Sequence, residues 1–172
     1  MGSYATSYIS TTSASATRVA DTCQKAGIGN TSTAGTLYYE FSGYQPSIPA
    51  NAQYLLQLFA GSSVGDAFFS DANSISIINQ GANIEGRNDG FSTTLFSFTP
   101  TSATVKVALR YNGTNVVAFV NGVKQTVYSD TAVGVKNAIR VNNGEYGSQA
   151  TKQLIFFPTA LTDAECISLT TI

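Results

Sequence analysis

Residues 103–128 decide the fold, and they read ATVKVALRYNGTNVVAFVNGVKQTVY. Apolar and polar residues alternate along the first third of this stretch, which predicts a half-buried β-strand because successive side chains of a strand point to opposite faces. An Asn-Gly pair follows at 112–113, and this pair favours a type I′ hairpin turn, which needs positive φ at both central positions. Residues 116–120 continue as a buried strand, and a second Asn-Gly pair at 121–122 turns the chain into a third strand over 123–128. The stretch therefore predicts a three-stranded antiparallel meander.

The rest of the chain repeats this pattern of short strands and turns. Further strands are predicted over residues 35–41, 53–59, 67–69, 74–78, 91–98 and 152–157. Clusters of Gly, Asn and Asp separate these runs, and such clusters are typical of turns. The run 53–59 is apolar on both faces, as expected of a central strand. The pattern predicts an all-β protein, built as an antiparallel sandwich or a barrel.

One helix is predicted, near the C-terminus. Thr162 and Glu165 have the spacing of a capping box, in which each side chain bonds the other residue's backbone N–H. A short helix over residues 163–169 follows from this signal. Residues 1–17 consist largely of Ser, Thr, Ala and Tyr without periodicity, so we expect an extended leader there and a single domain over residues 18–172.

Composition excludes several classes of protein. The 172 residues carry nine Lys and Arg against ten Asp and Glu, a net charge of −1. Nine cations are too few for a phosphate-binding face, so we expect no nucleic-acid partner. Histidine is absent, which removes His-based catalysis and His-ligated metals. No apolar run approaches the roughly 18 residues that span a bilayer, so we expect no membrane insertion.

The acidic residues argue against an enzyme. A retaining glycosidase needs two carboxylates roughly 5 Å apart. The strand acid Glu40 has no acidic neighbour two residues away, and Asp163 and Glu165 belong to the start of the predicted helix. The sequence therefore predicts a non-catalytic protein.

Three segments carry a family resemblance. Residues 107–122 resemble the central hairpin of laminin-G-like, concanavalin A-like lectin domains, and residues 154–165 resemble their last strand and short helix. The opening segment, residues 7–12 with residues 17–21, resembles the entry to such domains in bacteriophage and prophage tail or fibre proteins. The resemblance implies an all-β, two-sheet antiparallel β-sandwich, a concanavalin A-like jelly roll, with one short C-terminal helix. It also implies a place on a virion or extracellular appendage and, since phage fibres are commonly trimeric, a homotrimer.

Our first hypothesis for function is a non-catalytic recognition module of a phage tail fibre or similar appendage, which binds a glycan or a cell-surface receptor. The first alternative is a purely structural spacer or decoration domain of a virion, whose partners are neighbouring virion chains. The second alternative is a carbohydrate-binding domain of a secreted bacterial enzyme.

Candidate ligand-binding residues lie in predicted loops. Sugar contact needs amide and hydroxyl groups beside an aromatic ring, and loops are common places for such sites. The candidates are Tyr44, Arg87, Asp89, Asn142, Asn143, Glu145 and Tyr146. The segment 142–146 is the best of them because it combines a Tyr with two amides and a carboxylate. An ordinary polar turn is the alternative for each.

Two further sites are weaker predictions. Asp66, Asp71 and Asn73 form a candidate calcium loop, although Asp and Asn also make turns by bonding their own backbone. No other cofactor is predicted. Cys23 and Cys166 are either two buried free thiols or a disulfide that joins the two ends of the domain. The resemblance favours the disulfide somewhat, since terminal strands lie together in such folds.

Overall fold

The computed structural model describes residues 23–43, 53–60, 74–88, 93–129, 134–143 and 150–172. Their β-strands are β1 (Cys23–Ala26), β2 (Ala34–Ser42), β3 (Gln53–Phe59), β4 (Ile75–Gln80), β5 (Asn83–Asn88), β6 (Thr93–Phe98), β7 (Thr104–Asn112), β8 (Asn115–Val120), β9 (Val123–Lys124), β10 (Tyr128–Ser129), β11 (Ala138–Asn143) and β12 (Ala150–Phe157). A helix, α1 (Asp163–Thr170), follows the last strand.

The strands form two antiparallel sheets. The first sheet has the order β1-β11-β3-β4-β5-β6, and the second has the order β10-β8-β7-β2-β12, with β9 also paired to β8. The predicted all-β fold of two antiparallel sheets with a short C-terminal helix is therefore confirmed.

The hydrophobic core lies between the two sheets. Alternate residues of β2 point into it, namely Leu37, Tyr39 and Phe41, and all three are buried. The first sheet contributes the aliphatic side chains of β3 and β4 to the same cluster. Each large side chain buried in this way stabilises the fold by about 1.5–3 kcal/mol relative to its exposed state.

The predicted meander is confirmed in β7 and β8, and its second turn is the predicted one. Asn121 has φ +48° and Gly122 has φ +82°, the pair of positive values that a type I′ turn requires. The third strand is interrupted, since β9 and β10 each contain two residues and residues 125–127 lie between them.

The first turn of the meander differs from the predicted type I′ turn. Of the pair Asn112 and Gly113, Gly113 alone has a positive φ, of +76°. Asn112 stays in β7 because it pairs with Ala34 at the start of β2. The reversal is made instead by a hydrogen bond from the Thr114 N–H to the Asn112 carbonyl, at 2.9 Å.

The helix begins as predicted. The Glu165 N–H donates to Thr162 Oγ1 at 3.3 Å, and the Thr162 N–H donates to Glu165 Oε2 at 2.7 Å. The capping box is therefore confirmed. Among the described residues, no helix is long and apolar enough to cross a membrane.

The helix packs on the outer face of the second sheet. Leu161 and Cys166 contact a small apolar cluster of Ala108, Val117 and Phe119. Arg110 fixes the start of the helix, since its Nη1 donates to Asp163 Oδ1 at 2.6 Å and its guanidinium lies 5.2 Å from the centre of the Phe119 ring. Lys124 Nζ donates to the other Asp163 oxygen, also at 2.6 Å.

The disulfide expected as one of two alternatives is not formed. Cys166 is a buried free thiol beneath α1, on the outer face of the second sheet. Cys23 belongs to β1 at an edge of the first sheet, so the second sheet separates the two positions. The side chain of Cys23 lies outside the described residues.

Most predicted strands have counterparts in the structure. Strands β2, β3, β4, β6 and β12 match predicted runs within a few residues. Strands β1, β5 and β11 were not predicted. The predicted strand at 67–69 and the predicted leader at 1–17 lie outside the described residues.

Candidate ligand-binding face

The face of the first sheet that points away from the core carries a row of polar side chains. Arg140 of β11 pairs with Gln57 of β3, Gln57 pairs with Ser76 of β4, and Ser76 pairs with Arg87 of β5. We call these four residues the outer polar row. Neighbouring strands lie about 4.8 Å apart, so the row extends for about 14 Å across the sheet.

Strand alternation explains why the row faces outward. Three of its members lie between residues of the core cluster, namely between Ile139 and Val141, between Leu56 and Leu58, and between Ile75 and Ile77. Successive side chains of a strand point to opposite faces, so Arg140, Gln57 and Ser76 must lie on the face opposite the core.

Arg87 is held by a carboxylate of its own strand. Arg87 Nε donates to Glu85 Oε2 at 2.9 Å, and Nη2 donates to the same oxygen. The Arg87 Nη2 also donates to Gln80 Oε1 at 3.3 Å, and Ser97 Oγ donates to Glu85 Oε1 at 3.2 Å. The guanidinium and the carboxylate therefore stand in a fixed orientation relative to each other.

Two aromatic rings lie beside the row. The Arg140 guanidinium is 5.8 Å from the centre of the Phe59 ring. Burial raises the pKa of Tyr54 above its ordinary value, and the Arg87 charge acts against this rise, which places Tyr54 within electrostatic reach of Arg87. The face thus combines cations, amide and hydroxyl groups, and buried aromatic rings.

Exposure differs along the row. Arg140 and Gln57 are each 2% exposed, whereas the side chains of Arg87 and Glu85 are 20% and 13% exposed. Ser76 is also buried, so the β11–β3–β4 part of the row is closed to solvent. The β5–β6 end is the one that solvent reaches, because Thr94 and Ser97 of β6 are exposed.

Arg87 is a predicted ligand residue that the structure describes, and it belongs to the outer polar row. Its predicted place in a loop is wrong. Arg87 lies in β5, where it pairs with Ser76 on one side and with Thr94 on the other.

Asn142 and Asn143 also differ from the prediction, which placed them in a turn. They are the last residues of β11, where Asn143 pairs with Tyr54. Their side chains lie outside the described residues, as do the predicted ligand residues Tyr44, Asp89, Glu145 and Tyr146.

Three of these predicted residues belong to two chain connections whose flanking strand ends the structure describes. Tyr44 belongs to the connection from β2 to β3, and Glu145 and Tyr146 belong to the connection from β11 to β12. The strand residues before one connection pair with those after the other, since Ser42 pairs with Ala150 and Asn143 pairs with Tyr54. The described strand ends that flank the two connections therefore lie at the same end of the molecule.

The predicted calcium ligands Asp66, Asp71 and Asn73 lie outside the described residues. Within the part of the chain that the structure describes, no three side chains of His, Cys, Asp or Glu lie close enough to hold a metal ion.

Sequence reasoning missed Arg140, Gln57, Ser76 and Glu85. A signal was present, since Ile139, Arg140 and Val141 alternate as strand residues do, and so do residues 84–87. The alignment of these strands into one row depends on register between strands that are distant in sequence, and no local pattern specifies that register.

A concave feature lies beside α1. It is a groove of about 470 Å³ lined by Phe157, Leu161, Ala164, Glu165, Ser168 and Leu169. Its lining is mostly apolar, and the Glu165 carboxylate is already bonded to Thr162. The outer polar row is therefore the better candidate for a polar ligand.

No protein-family model matches this chain, and no curated protein matches it. Solved structures share its fold. The carbohydrate-binding domain CBM40 of the Ruminococcus gnavus IT-sialidase, bound to α2,3-sialyllactose, has a TM-score of 0.53 and 15% identity, over 80% of this chain and 82% of that one.

Two larger proteins contain a similar domain. The leech intramolecular trans-sialidase has a TM-score of 0.56 and 14% identity over 84% of this chain, which spans 24% of its length. The binding domain of botulinum neurotoxin DC, in complex with rat synaptotagmin II, has a TM-score of 0.57 and 10% identity over 80% of this chain and 35% of that one. At such identities the likeness shows a lectin-like β-sandwich fold.

Proposed function

We propose that this chain is a non-catalytic recognition module that binds an acidic glycan on the outer face of the first sheet. The observation that carries the proposal is the outer polar row, in which Arg140 and Arg87 lie on one sheet face with an amide and a hydroxyl between them.

The chemistry of the row suits an acidic sugar. Guanidinium groups bind carboxylates through two parallel hydrogen bonds, which gives both strength and orientation. Gln57 and Ser76 are buried and form the polar floor of the face. At the exposed end, the Thr94 and Ser97 hydroxyls can bond sugar hydroxyls, and the Glu85 carboxylate can accept from them. The row and Glu85 together hold two guanidinium charges against one carboxylate, so this set of side chains favours a ligand with a negative charge.

The comparisons support the same class of ligand. The CBM40 domain of similar fold is recorded in complex with sialyllactose, whose sialic acid carries a carboxylate. The neurotoxin binding domain is recorded with a protein receptor, which leaves a cell-surface protein as the second candidate partner.

The ligand enters from the exposed β5–β6 side. Arg87 and Glu85 meet it first, with Thr94 and Ser97 at the rim. Arg140 lies deeper and supports the positive potential of the face. The predicted residues Tyr44, Asp89, Asn142, Asn143, Glu145 and Tyr146 are proposed as further contacts, and Asp66, Asp71 and Asn73 as a calcium site.

The biological setting of the module is also a proposal. The first candidate setting is a phage or prophage fibre, with the chain in a homotrimer on a virion or extracellular appendage. It rests on the resemblance of residues 7–12 and 17–21 to such proteins. A carbohydrate-binding domain of a secreted bacterial enzyme is the alternative, and the likeness to most of an isolated CBM40 domain supports it.

Titration calorimetry with 3′-sialyllactose and with lactose tests the proposal. We expect binding of sialyllactose and none of lactose, since lactose lacks the carboxylate. Arg87→Gln is expected to weaken binding about 10- to 100-fold, the range for loss of a charge-assisted hydrogen bond. Lys152→Gln is the matched control, because Lys152 is an exposed cation on the second sheet.

Added calcium or chelator tests the proposed calcium site, and Tyr146→Ala tests the proposed contacts of the 142–146 loop.

Three results would contradict parts of the proposal. Equal affinity for lactose would exclude the acidic sugar as the determinant. Unchanged affinity in Arg87→Gln would move the site away from the outer polar row. A complete lack of binding across a broad glycan array would favour the structural virion domain instead.

A further inference from the structure

The turn between β8 and β9 is fastened to the end of α1. The Gly122 N–H donates to Thr170 Oγ1 at 3.1 Å, and that hydroxyl donates in turn to the Cys166 carbonyl at 2.8 Å. Thr170 is fully buried. The Asn121 side chain is also engaged, since its Oδ1 accepts from the Lys106 N–H at 2.9 Å.

The two residues of this turn form a reactive pair. In an Asn-Gly sequence the glycine nitrogen can attack the asparagine Cγ, because glycine has no side chain to hinder the approach. The new N–Cγ bond closes a succinimide ring, and the side-chain nitrogen leaves as ammonia. One water molecule then opens the ring to aspartate or isoaspartate.

We infer that Asn121 is a deamidation site, and that the docked helix α1 suppresses the reaction there. Both reacting groups are held in hydrogen bonds, the Gly122 nitrogen by the helix and the Asn121 amide by β7. Release of α1 frees the Gly122 nitrogen and removes Thr170 from the turn. The reaction then proceeds with solvent water as its co-reactant.

Isoaspartate at position 121 prevents α1 from docking again on the β8–β9 turn. Isoaspartate adds one methylene to the backbone of a two-residue turn whose dihedral angles are both fixed in the left-handed region. The β8–β9 pairing and the Gly122–Thr170 bond cannot both re-form on that backbone. A reversible opening of α1 thus becomes a permanent change at Asn121.

The chain supplies an internal control for this inference. Asn112 and Gly113 form a second Asn-Gly pair, and the Gly113 N–H donates to the Thr33 carbonyl at 2.9 Å. That bond does not involve α1, so release of the helix must leave the rate at Asn112 unchanged.

Peptide mass mapping during incubation at pH 8 and 37 °C tests the inference, with deamidation read as a mass gain of about one dalton and isoaspartate detected by enzymatic methylation. We expect Asn121 to convert far more slowly in the native protein than in concentrated urea. Thr170→Val is expected to accelerate conversion at Asn121 about fivefold, the factor for loss of one hydrogen bond, with no change at Asn112.

Glu165→Ala provides a second variant, which removes the capping box at the other end of the helix and breaks no hydrogen bond to β8 or β9. Helix release is read independently from the labelling rate of Cys166 in a Cys23→Ser background. Faster labelling together with faster conversion at Asn121 supports the inference. Faster labelling with an unchanged rate at Asn121 overturns it, and so does equal conversion in native and unfolded protein.

Discussion

Gly35 stands at a point where the Tyr111 ring fills the space that any side chain would need. A Cβ at Gly35 would lie 2.7 Å from the Tyr111 hydroxyl oxygen. Tyr111 is fully buried, and its hydroxyl accepts from Asn30 Nδ2 at 2.9 Å. Asn30 Nδ2 also donates to the Lys136 carbonyl at 2.8 Å, so one buried amide joins the segment before β2 to β7 and to the segment before β11.

Gly35→Ala is therefore expected to destabilise the protein by about 1–3 kcal/mol, the usual cost of overpacking a dense core. In a domain of this size the melting temperature falls by about 2–4 °C for each kcal/mol. Calorimetry measures the fall. Because Tyr111→Phe removes the nearest atom, the double variant should lose less stability than the two single variants together. An unchanged melting temperature in Gly35→Ala would contradict the fixed position of Tyr111.

At the scale of the element, α1 is joined to its sheet by a carboxylate between two cations. Hydrogen bonds from Lys124 and from Arg110 lower the pKa of Asp163 below its ordinary value. Bonds from Thr162 likewise lower the pKa of Glu165. A carboxylate whose pKa is lowered in the folded state stabilises that state above the unfolded pKa, and this contribution is lost as the pH falls through the folded pKa.

Asp163→Asn should therefore cost stability at pH 7 and progressively less below about pH 4, where the wild-type carboxylate is itself protonated. Urea unfolding followed by circular dichroism, at a series of pH values from 7 to 3, measures the difference between the two proteins. Ser168→Ala, at an exposed position of the same helix, should show no such dependence. A constant difference at every pH would mean that the charge of Asp163 contributes nothing.

The elements also show which parts of this fold the sequence can predict. The capping box at Thr162 and the Asn121–Gly122 turn are local, since a few adjacent residues satisfy each other's backbone groups, and both are confirmed. The Asn112–Gly113 turn differs because pairing of Asn112 with Ala34, far away in sequence, keeps it in β7. The outer polar row depends on register across four strands, so the sequence predicts Arg87 from its chemistry alone and does not predict Arg140.

At the scale of the whole molecule, strands from the two ends of the described chain complete different sheets. Strand β1 pairs with β11 in the first sheet, and β12 pairs with β2 in the second. Both pairings join residues more than a hundred positions apart, for example Cys23 with Val141. Such long-range pairing makes folding slow and makes each sheet dependent on a late segment of the chain.

Removal of residues 150–172 is therefore expected to prevent folding. Strand β12 borders β2 along its length, and its side chains Leu154 and Phe156 pack against the core. The same deletion removes Leu161 and Cys166, which cover Phe119. The loss leaves a buried sheet face open to water, so the shortened chain should give the circular dichroism and the narrow amide proton dispersion of an unfolded protein.

Removal of residues 1–17 is the matched deletion, since the sequence predicts a leader there rather than a part of the domain. That variant should keep both the melting temperature and the sialyllactose affinity of the full chain. A large drop in its melting temperature would place the leader within the folded domain, and a folded product of the first deletion would show that the first sheet is stable without β12.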